Sequence, residues 1–265
     1  MRFDQKTIVV TGAGGGFGEG IAKRFAALGG RVVIVDLRAE HAARVAAEIN
    51  QSGAAAIAVT ADITLDRDVA AVAERTTAAF GPAAILVNNA GITHKNSPML
   101  DVDEAMFDRV FAVNVKSIYL TAKHFVPPMR KMGGGAIVNI ASTAGLRPRP
   151  GLTWYNGSKG AAIALTKSMA IELAPDRIRV NAINPVMGET GMLQDLLPGQ
   201  DSAAVRAKII ATIPLGRFSQ PRDIANAVTF LASDESDLIT GSCLEVDGGR
   251  CICSNEILFV SGYSG

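Results

Sequence analysis

Cysteine, aromatic residues and clustered charge are all scarce in this chain of 265 residues. The three cysteines, Cys243, Cys251 and Cys253, form an odd set near the carboxyl-terminal end, so the sequence predicts no disulfide framework and favours a reducing compartment. The formal net charge is +1, and lysine and arginine form no run long enough to follow a phosphate backbone. A nucleic-acid partner is therefore not expected.

Long hydrophobic runs are also missing. Charged residues, glycine or proline interrupt every apolar stretch before it reaches the roughly 20 residues that a membrane-spanning helix needs, so no membrane partner is expected. The first strand-like run begins at Thr7, which leaves little room for a secretory leader. With 48% hydrophobic residues, the composition is typical of a packed globular protein. We expect a cytoplasmic protein that acts on a small molecule, with no metal site.

Short β-branched runs alternate with longer Ala-rich segments of helical period. The strands read as continuous apolar runs, which is typical of a parallel sheet covered by helices on both faces. The predicted strands are 7–10, 31–35, 56–60, 85–87, 136–140, 179–183 and 243–246, and the predicted helices are 18–28, 39–50, 69–80, 103–132 and 154–173. The expected fold class is α/β: a single-domain Rossmann fold with a doubly wound, seven-stranded parallel sheet and helices on both faces.

Two stretches rich in proline and glycine, 142–153 and 184–202, interrupt this rhythm after strand ends. Ligands of open α/β sheets bind outside the carboxyl ends of the strands. These stretches are therefore the predicted substrate loops, although either could be an ordinary connection. No linker divides the chain, so we predict one domain over residues 1–250 and a short carboxyl-terminal tail over 251–265.

The segment 11–18 reads TGAGGGFG and joins the first predicted strand to the first predicted helix. Glycine there permits a tight turn, lets the backbone approach a pyrophosphate and aims the N–H groups of the next helix at it. A glycine-rich turn alone could be a flexible loop, but its place between strand and helix predicts a nucleotide site. The predicted contacts are Gly12, Gly14, Gly16, Phe17 and Gly18.

Asp36 ends the second predicted strand, close to the roughly 20-residue offset at which an acidic residue binds the ribose hydroxyls of NAD. A carboxylate there would repel the 2′-phosphate of NADP, so the predicted cofactor is NAD(H). Arg38 leaves the strictness of this preference open, because its side chain could swing toward a 2′-phosphate. Asp36 could also be an ordinary carboxylate on a solvated loop.

The predicted helix 154–173 begins WYNGSKGAA, which places Tyr155 and Lys159 one turn apart on one face. An ammonium group close to a phenol stabilises the phenolate, and an oxidised nicotinamide would add positive charge, so we expect the pKa of the tyrosine to be lowered. Alone the pair says little, since a packed aromatic beside a solvated lysine is common. Ser142 follows the strand-like run GAIVNIAS, however, and Asn114 lies in the preceding predicted helix.

These residues, together with further motifs in the same order, resemble the short-chain dehydrogenase/reductase family. The motifs are TGAGGGFG at 11–18, Asp62 with Ile63, NNAG at 88–91, Asn114, Ser142, YNGSK at 155–159, NPVMGET at 184–190, PLGRFSQPRDIA at 214–225 and VDGG at 246–249. The resemblance covers about residues 4 to 250. It implies an NAD-dependent oxidoreductase that interconverts an alcohol and a ketone or aldehyde, and association into a homotetramer or homodimer.

The resemblance also implies a role for each matching residue. Tyr155 would be the general acid/base, Lys159 would lower its pKa and bind the nicotinamide ribose, Ser142 would hydrogen-bond the substrate oxygen, and Asn114 would hold a water that links Lys159 to solvent. The other implied cofactor contacts are Leu37 beside Asp36, Asp62 and Ile63 at the adenine, Asn89, Ala90 and Gly91 at the adenosine ribose, and Pro185, Val186 and Thr190 near the nicotinamide. Val186 stands where the family often has glycine, so the loop shape there is expected to differ.

The runs GLTWYNGSK and NPVMGETGM are similar to an aryl alcohol and aldehyde dehydrogenase branch that includes 4-formylbenzenesulfonate dehydrogenase. We hypothesise that an arginine of the loop 142–153, with His94, favours a negatively charged or polar substrate group, although arginines in such loops are often solvated. Trp154 and Met187 are expected to shape an apolar or aromatic pocket. Of the two arginines of this loop, Arg147 and Arg149, we select Arg147, so the candidate substrate residues are His94, Arg147, Trp154 and Met187.

Two alternatives stay open from the residues alone. A 3-oxoacyl-acyl-carrier-protein reductase that uses NADPH would suit PLGRFSQPRDIA and VDGG, but Asp36 and the lack of a basic residue in the glycine turn argue against NADPH. A non-catalytic nucleotide-sensing protein on the same fold could keep the glycine turn while losing Tyr155, Lys159 or Ser142. All three are present, which favours an enzyme.

Overall fold

The computed structural model describes residues 1–191, 193 and 202–253. Its strands are β1 (Thr7–Thr11), β2 (Arg31–Asp36), β3 (Ala55–Thr60), β4 (Ile85–Asn88), β5 (Gly135–Ile140), β6 (Ile178–Pro185) and β7 (Cys243–Val246). They form one parallel sheet of seven strands in the order β3-β2-β1-β4-β5-β6-β7. The predicted doubly wound α/β sheet is confirmed.

Helices cover both faces of the sheet. They are α1 (Gly16–Ala27), α2 (Ala39–Gln51), α3 (Asp66–Phe80), α4 (Glu104–Phe111), α5 (Ser117–Met132), α6 (Thr153–Leu173), α7 (Ala203–Ile210) and α8 (Pro221–Ala232). One apolar core lies under α1, α2 and α8, and a second lies under α3, α5 and α6. In β1, Ile8 and Val10 belong to the first core and Val9 to the second, which explains why the strands are apolar without alternation.

The predicted helix 103–132 is interrupted. A π-helical turn over Ala112–Lys116 joins α4 to α5, and Asn114 lies within it. Such single wide turns are common at functional sites because they shift side chains relative to a regular helix. Within the described ranges, no helix is both long and apolar enough to span a membrane.

Two helices were not predicted, α7 and α8. The amino-terminal end of α8 has sequence features that are typical of a helix start: Pro221 lies in the first turn, and Gln220 and Asp223 form a capping box. Its apolar face includes Ile224 and Val228, which are fully buried, and packs on α1. Helix α8 therefore supports the helix that follows the glycine turn.

The switch in strand order positions the site. β1 pairs with β2 on one side and β4 on the other, so the connections that leave β1 and β4 diverge and open a crevice at their carboxyl ends. β6 runs to Pro185, two residues into the predicted loop 184–202. Residues 192 and 194–201 of that loop, and 254–265 of the predicted tail, lie outside the described residues.

Candidate active site

A cleft of about 760 Å³ lies at the carboxyl ends of the strands, within the size range of ligand sites. Most of the predicted site residues line it: Gly12, Gly14, Gly16, Phe17, Asp36, Leu37, Asp62, Ile63, Asn89, Ala90, Gly91, Ser142, Tyr155, Lys159, Pro185, Val186, Met187 and Thr190. Of the predicted set, Gly18, His94, Asn114, Arg147 and Trp154 are not part of the lining. The structure thus brings the predicted cofactor and catalytic residues to one place.

The glycine turn is held close to the end of β4. Gly12 has φ +62°, and a Cβ there would lie 2.8 Å from the Cα of Ala90; both facts favour glycine. The Asn89 Nδ2 donates to the carbonyl oxygens of Thr11 and Gly12 at 2.9 and 3.0 Å. A Cβ at Gly18 would overlap the carbonyl oxygen of Gly12. Gly18 therefore serves the packing of α1 against the turn, and does not itself face the cleft.

Two glycines of this turn should respond differently to substitution. We expect Gly18→Ala to lower the free energy of unfolding by about 1–3 kcal/mol, because a methyl group is forced into packed backbone. Gly15→Ala is the matched control: it has an extended φ of −175° and no atom within 4 Å of its Cβ position, so stability should change by less than about 1 kcal/mol. Because Gly15 lines the cleft, this variant should weaken NADH binding instead. Urea unfolding and fluorescence titration with NADH would measure both effects, and equal destabilisation by the two variants would contradict this account.

The carboxylate of Asp36 lies at the end of β2 and contacts the turn. Its Oδ2 accepts from the N–H of Gly14 at 2.9 Å and its Oδ1 from the N–H of Arg38 at 3.0 Å. The Arg38 guanidinium is exposed and lies 3.9 Å from Oδ1. Arg44, which the sequence did not single out, also lines the cleft, but it donates to the carbonyl oxygen of Gly14 and is paired with two glutamates. Asp36 thus places a carboxylate in the cleft wall.

Tyr155, Ser142 and Lys159 meet where β5 ends and α6 begins. The side chains of Tyr155 and Ser142 line the same cleft, where the Ser142 hydroxyl acts to lower the pKa of the phenol, and Ser142 Oγ accepts from the N–H of Ala144 at 3.1 Å. The Lys159 Nζ donates to the carbonyl oxygen of Ile140 at 2.8 Å and lies 5.9 Å from the centre of the Tyr155 ring. The segment after one strand and the first two turns of one helix therefore bring a phenol, a hydroxyl and an amine together in the cleft.

Asn114 fixes the chain that follows β4 beside Lys159. Its Oδ1 accepts from the N–H of Ile92, and its Nδ2 donates to the Ile92 carbonyl and to Ser158 Oγ, all at 2.9 Å. A methyl group at Gly91 would lie 3.2 Å from Lys159 Nζ and 3.3 Å from Asn114 Oδ1, so both polar atoms flank this glycine. Ser158 was missed by the sequence analysis, although it belongs to the quoted run YNGSK. A water held by Asn114 stays a prediction.

Burial is the largest influence on the pKa values of Tyr155 and Lys159. It raises the pKa of the Tyr155 phenol, while the hydrogen bond from Ser142 and the charge of Arg149 act in the opposite direction. Burial also lowers the pKa of Lys159 to about 8. Among the described residues, Lys159 is not one of the groups that act on the pKa of Tyr155, so a lowering of that pKa by Lys159 stays a prediction. The positive charge of an oxidised nicotinamide would act on Tyr155 in the expected direction.

Three predicted substrate residues face elsewhere. Nδ1 of His94 bonds to the Lys95 carbonyl oxygen at 2.8 Å, and the ring is buried with its Nε2 unpaired. The indole of Trp154 donates to the Met99 carbonyl and packs edge-on against Phe107, so it is a packing residue. Arg147 donates to two carbonyl oxygens of residues 250–253. The cleft-lining arginine of this loop is Arg149 instead.

The residues of the cleft fit a dinucleotide. Glycine backbone approaches the cleft at the start of α1, whose N-terminus favours negative charge, and the carboxylates of Asp36 and Asp62 lie at the ends of β2 and β3. Tyr155 and Lys159 lie at the other end of the same cleft, beyond β1 and β4 in the sheet order. A catalytic group and a nucleotide site share one crevice, which is the arrangement of a dinucleotide-dependent oxidoreductase.

Comparison with known proteins identifies the family. A family model described as enoyl-(acyl carrier protein) reductase matches residues 12–250. The chain is 47% identical over 252 residues to 4-formylbenzenesulfonate dehydrogenase of Comamonas testosteroni, covering 95% of this chain and 100% of that protein. It is 37% identical to cis-4-hydroxycyclohexanecarboxylate dehydrogenase of Sinomonas cyclohexanicum, covering 93% and 97%. The chain belongs to the short-chain dehydrogenase/reductase family.

Solved structures agree with this assignment. The 3-ketoacyl-(acyl-carrier-protein) reductase of Brucella melitensis in complex with NADH matches with a TM-score of 0.88 and 46% identity, covering 94% of this chain and 99% of that one. Solved relatives hold NADH or NADP. The protein is therefore an oxidoreductase that acts on an alcohol or carbonyl compound, and its relatives use a nicotinamide dinucleotide.

Proposed function

We propose that this protein interconverts an alcohol and a ketone or aldehyde with NAD(H), and that Tyr155 is its general acid/base. The observation that carries the proposal is the placement of Tyr155 and Ser142 in one cleft, together with the buried Lys159. The pair lies in the same cleft as the glycine turn and Asp36. A panel of aryl alcohols, secondary alcohols, sugars and 3-hydroxyacyl thioesters, each assayed with NAD and with NADP for the change in nicotinamide absorbance, tests it.

In the proposed mechanism the protein positions the substrate oxygen and moves its proton. Ser142 Oγ and the Tyr155 hydroxyl bind that oxygen, and in the oxidative direction the phenolate of Tyr155 takes the hydroxyl proton as hydride leaves the carbon. A bound nicotinamide would accept or supply the hydride. Lys159, held by the Ile140 carbonyl, supplies positive charge near the phenolate and would bind the nicotinamide ribose.

The proton then has to reach solvent. Asn114 and Lys159 both flank Gly91. We therefore propose that Asn114 orients the water that exchanges protons with Lys159, which is the role that the family resemblance implies. Its amide is already bound to the backbone of Ile92 and to Ser158. This makes Asn114 a positioning residue in our proposal, because it acts through Lys159 without lining the cleft.

The preference for NAD over NADP is proposed from Asp36. The glycine turn and the pairs Asp36 with Leu37, Asp62 with Ile63, and Asn89 with Ala90 would hold the adenosine half, and Pro185, Val186 and Thr190 the nicotinamide half. A 2′-phosphate would meet the Asp36 carboxylate, and the nearby Arg44 is engaged by two glutamates. The exposed Arg38, whose guanidinium lies 3.9 Å from the Asp36 carboxylate, would be the residue to offer a compensating charge.

Replacing Asp36 by Asn should relax this preference. The amide keeps the size of the side chain and an acceptor for the Gly14 N–H but removes the negative charge, so the ratio of kcat/KM for NAD to that for NADP should fall by about tenfold or more. Asp237→Asn, at an exposed position in the 234–237 segment, is the control and should leave the ratio unchanged. A wild-type protein that prefers NADP would overturn the assignment of Asp36.

The substrate class follows from the relatives in our proposal. One relative is named for a benzenesulfonate and another for a cyclohexanecarboxylate, so we infer an alcohol or carbonyl compound that carries an acidic group. A 3-oxoacyl-acyl-carrier-protein reductase is the second candidate, favoured by the name of the Brucella relative. Turnover of 3-oxoacyl thioesters with NADPH, in preference to small acidic substrates with NAD, would select the second candidate.

The remaining proposals, on localisation, assembly and domain organisation, rest on composition and family. We infer a cytoplasmic protein because the chain has only three cysteines, an odd number that suits no disulfide framework, and a homotetramer or homodimer by resemblance to the family. We also propose that residues 1–250 act as one domain, with the loops 142–153 and 184–202 at the substrate and 251–265 as a tail.

A further inference from the structure

Arg149 reaches the substrate end of the cleft from the loop between β5 and α6. It lines the cleft together with Leu152, Tyr155 and Met187. The backbone of the loop is tied down, because Asn156 Nδ2 donates to the Arg149 carbonyl at 2.8 Å. The next two residues are held as well: Asn96 Nδ2 donates to the carbonyl of residue 150, and the N–H of residue 97 to that of residue 151. The guanidinium is thus carried by a fixed segment.

This guanidinium has no acidic partner in the part of the chain that the structure describes. Among residues 1–191, 193 and 202–253, no carboxylate forms an ion pair with Arg149, and the charged or ionisable groups that act on it are Arg250, Tyr155 and Cys251. The cleft wall contains two carboxylates, Asp36 and Asp62. They lie at the ends of β2 and β3, and β2 is separated from β5 by three strand spacings, or roughly 14 Å.

The environment of Arg149 is also unfavourable for an isolated cation. Burial lowers the pKa of its guanidinium, and the neighbouring Arg250 adds repulsion in the same direction. Removing a charge from water without a counterion costs free energy. A ligand that carries the opposite charge can supply the missing counterion when it binds. The apolar side chains of Leu152 and Met187 line the same cleft. The apolar part of a substrate could pack between them.

We infer that Arg149 is a specificity-determining residue that binds a carboxylate or sulfonate on the substrate, at the end of an apolar body whose reacting carbon lies beside Tyr155. This inference rests on the proposed function, because it assigns the substrate class to the same site. The planar guanidinium forms paired hydrogen bonds with such oxyanions. Nothing is transferred at Arg149: it holds the acidic group while the proton moves at Tyr155.

The test compares 4-formylbenzoate with its neutral methyl ester. Binding of each compound to the full chain is measured by calorimetry, and turnover of each is measured with NAD or NADH. The wild-type protein should favour the carboxylate by about 10- to 100-fold, the value of a hydrogen-bonded charge pair. Arg149→Gln should abolish this preference in both binding and kcat/KM, and Arg149→Lys should recover part of it. Arg2→Gln, which removes the same charge from an exposed side chain paired with Asp4, should keep it.

Each outcome is decisive for one of the two proposals. Equal binding of acid and ester by the wild-type protein, or an Arg149→Gln variant that keeps the wild-type ratio, would overturn the role of Arg149. A binding preference that depends on Arg149, without any turnover linked to NAD, would support Arg149 and count against the proposed reaction. If Arg149→Gln failed to fold, shown by circular dichroism, the Arg149→Lys variant would decide: a ratio below that of the wild-type protein would support the inference, and an unchanged ratio would overturn it.

Discussion

Tyr155→Phe is expected to lower kcat by about 10³- to 10⁴-fold. The substitution removes only the hydroxyl of a tyrosine that lines the cleft together with Ser142, and a positioned general acid/base contributes up to about 10⁴-fold. The ring stays packed beside Leu152 and Ala144, so the Kd for NADH should stay within about threefold. Steady-state absorbance assays give kcat, and fluorescence titration gives the Kd.

Tyr119→Phe is the matched control for this prediction. Tyr119 is 61% exposed on α5, so loss of its hydroxyl should leave kcat unchanged. Ser142→Ala should cost less than Tyr155→Phe, since it removes a hydrogen bond to the substrate oxygen and keeps the proton-transferring group. If Tyr155→Phe turned over substrate at the wild-type rate, the proposed mechanism would be refuted, whatever the family of the chain.

The fold could be predicted because its strands carry a strong signal. A strand such as β1 packs on both faces, with Val9 in one core and Ile8 and Val10 in the other, so every position is apolar and the run is easy to recognise. Its end is marked by Gly12, where φ is positive. The strand, the turn and the helix after them each depend on residues that are adjacent in the sequence, which is why their order could be read directly.

The interruption at Ala112–Lys116 could not be read in this way. Regular helical spacing continues through it, and the wide turn is stabilised by a contact that is distant in the chain: the Asn114 amide bonds to Ser158, 44 residues away, and to Ile92. Helix propensity carries no information about such tertiary hydrogen bonds. The role of Asn114 was accessible only through the resemblance to the family.

The substrate side shows the same limit. Arg147 and Arg149 are two residues apart in a loop without period, and composition cannot tell which one faces the cleft. That is decided by contacts made elsewhere: Arg147 binds carbonyl oxygens of residues 250–253, and the Asn156 amide holds the backbone of Arg149. Arg147, the residue selected from the sequence, does not line the cleft, and an arginine at the substrate stays a prediction that the structure moves to Arg149.

Lys159 should both support catalysis and destabilise the fold. Its pKa is lowered by burial to about 8 from an ordinary value of 10.5. Between these two values the unfolded chain holds a proton that the folded chain has released, so stability rises with pH across that window, and the burial penalty is fully present below pH 8. The size of the effect is up to about 3 kcal/mol.

Lys159→Met is therefore expected to lower kcat by about 10²-fold or more while making the protein more stable than wild type at pH 7. The gain should be at most about 3 kcal/mol, reduced by the lost hydrogen bond to the Ile140 carbonyl, and it should shrink as the pH rises toward 10. Urea unfolding at pH 7 and 9.5, at one protein concentration, measures the difference between the two proteins at each pH. Lys131→Met, at an exposed position on α5, should show no such pH-dependent difference. If the variant were instead less stable than wild type by the same amount at both pH values, burial would not lower the pKa of Lys159. The amine would then be an ordinary lysine ammonium group, and its proposed part in moving the proton from Tyr155 would lose this support.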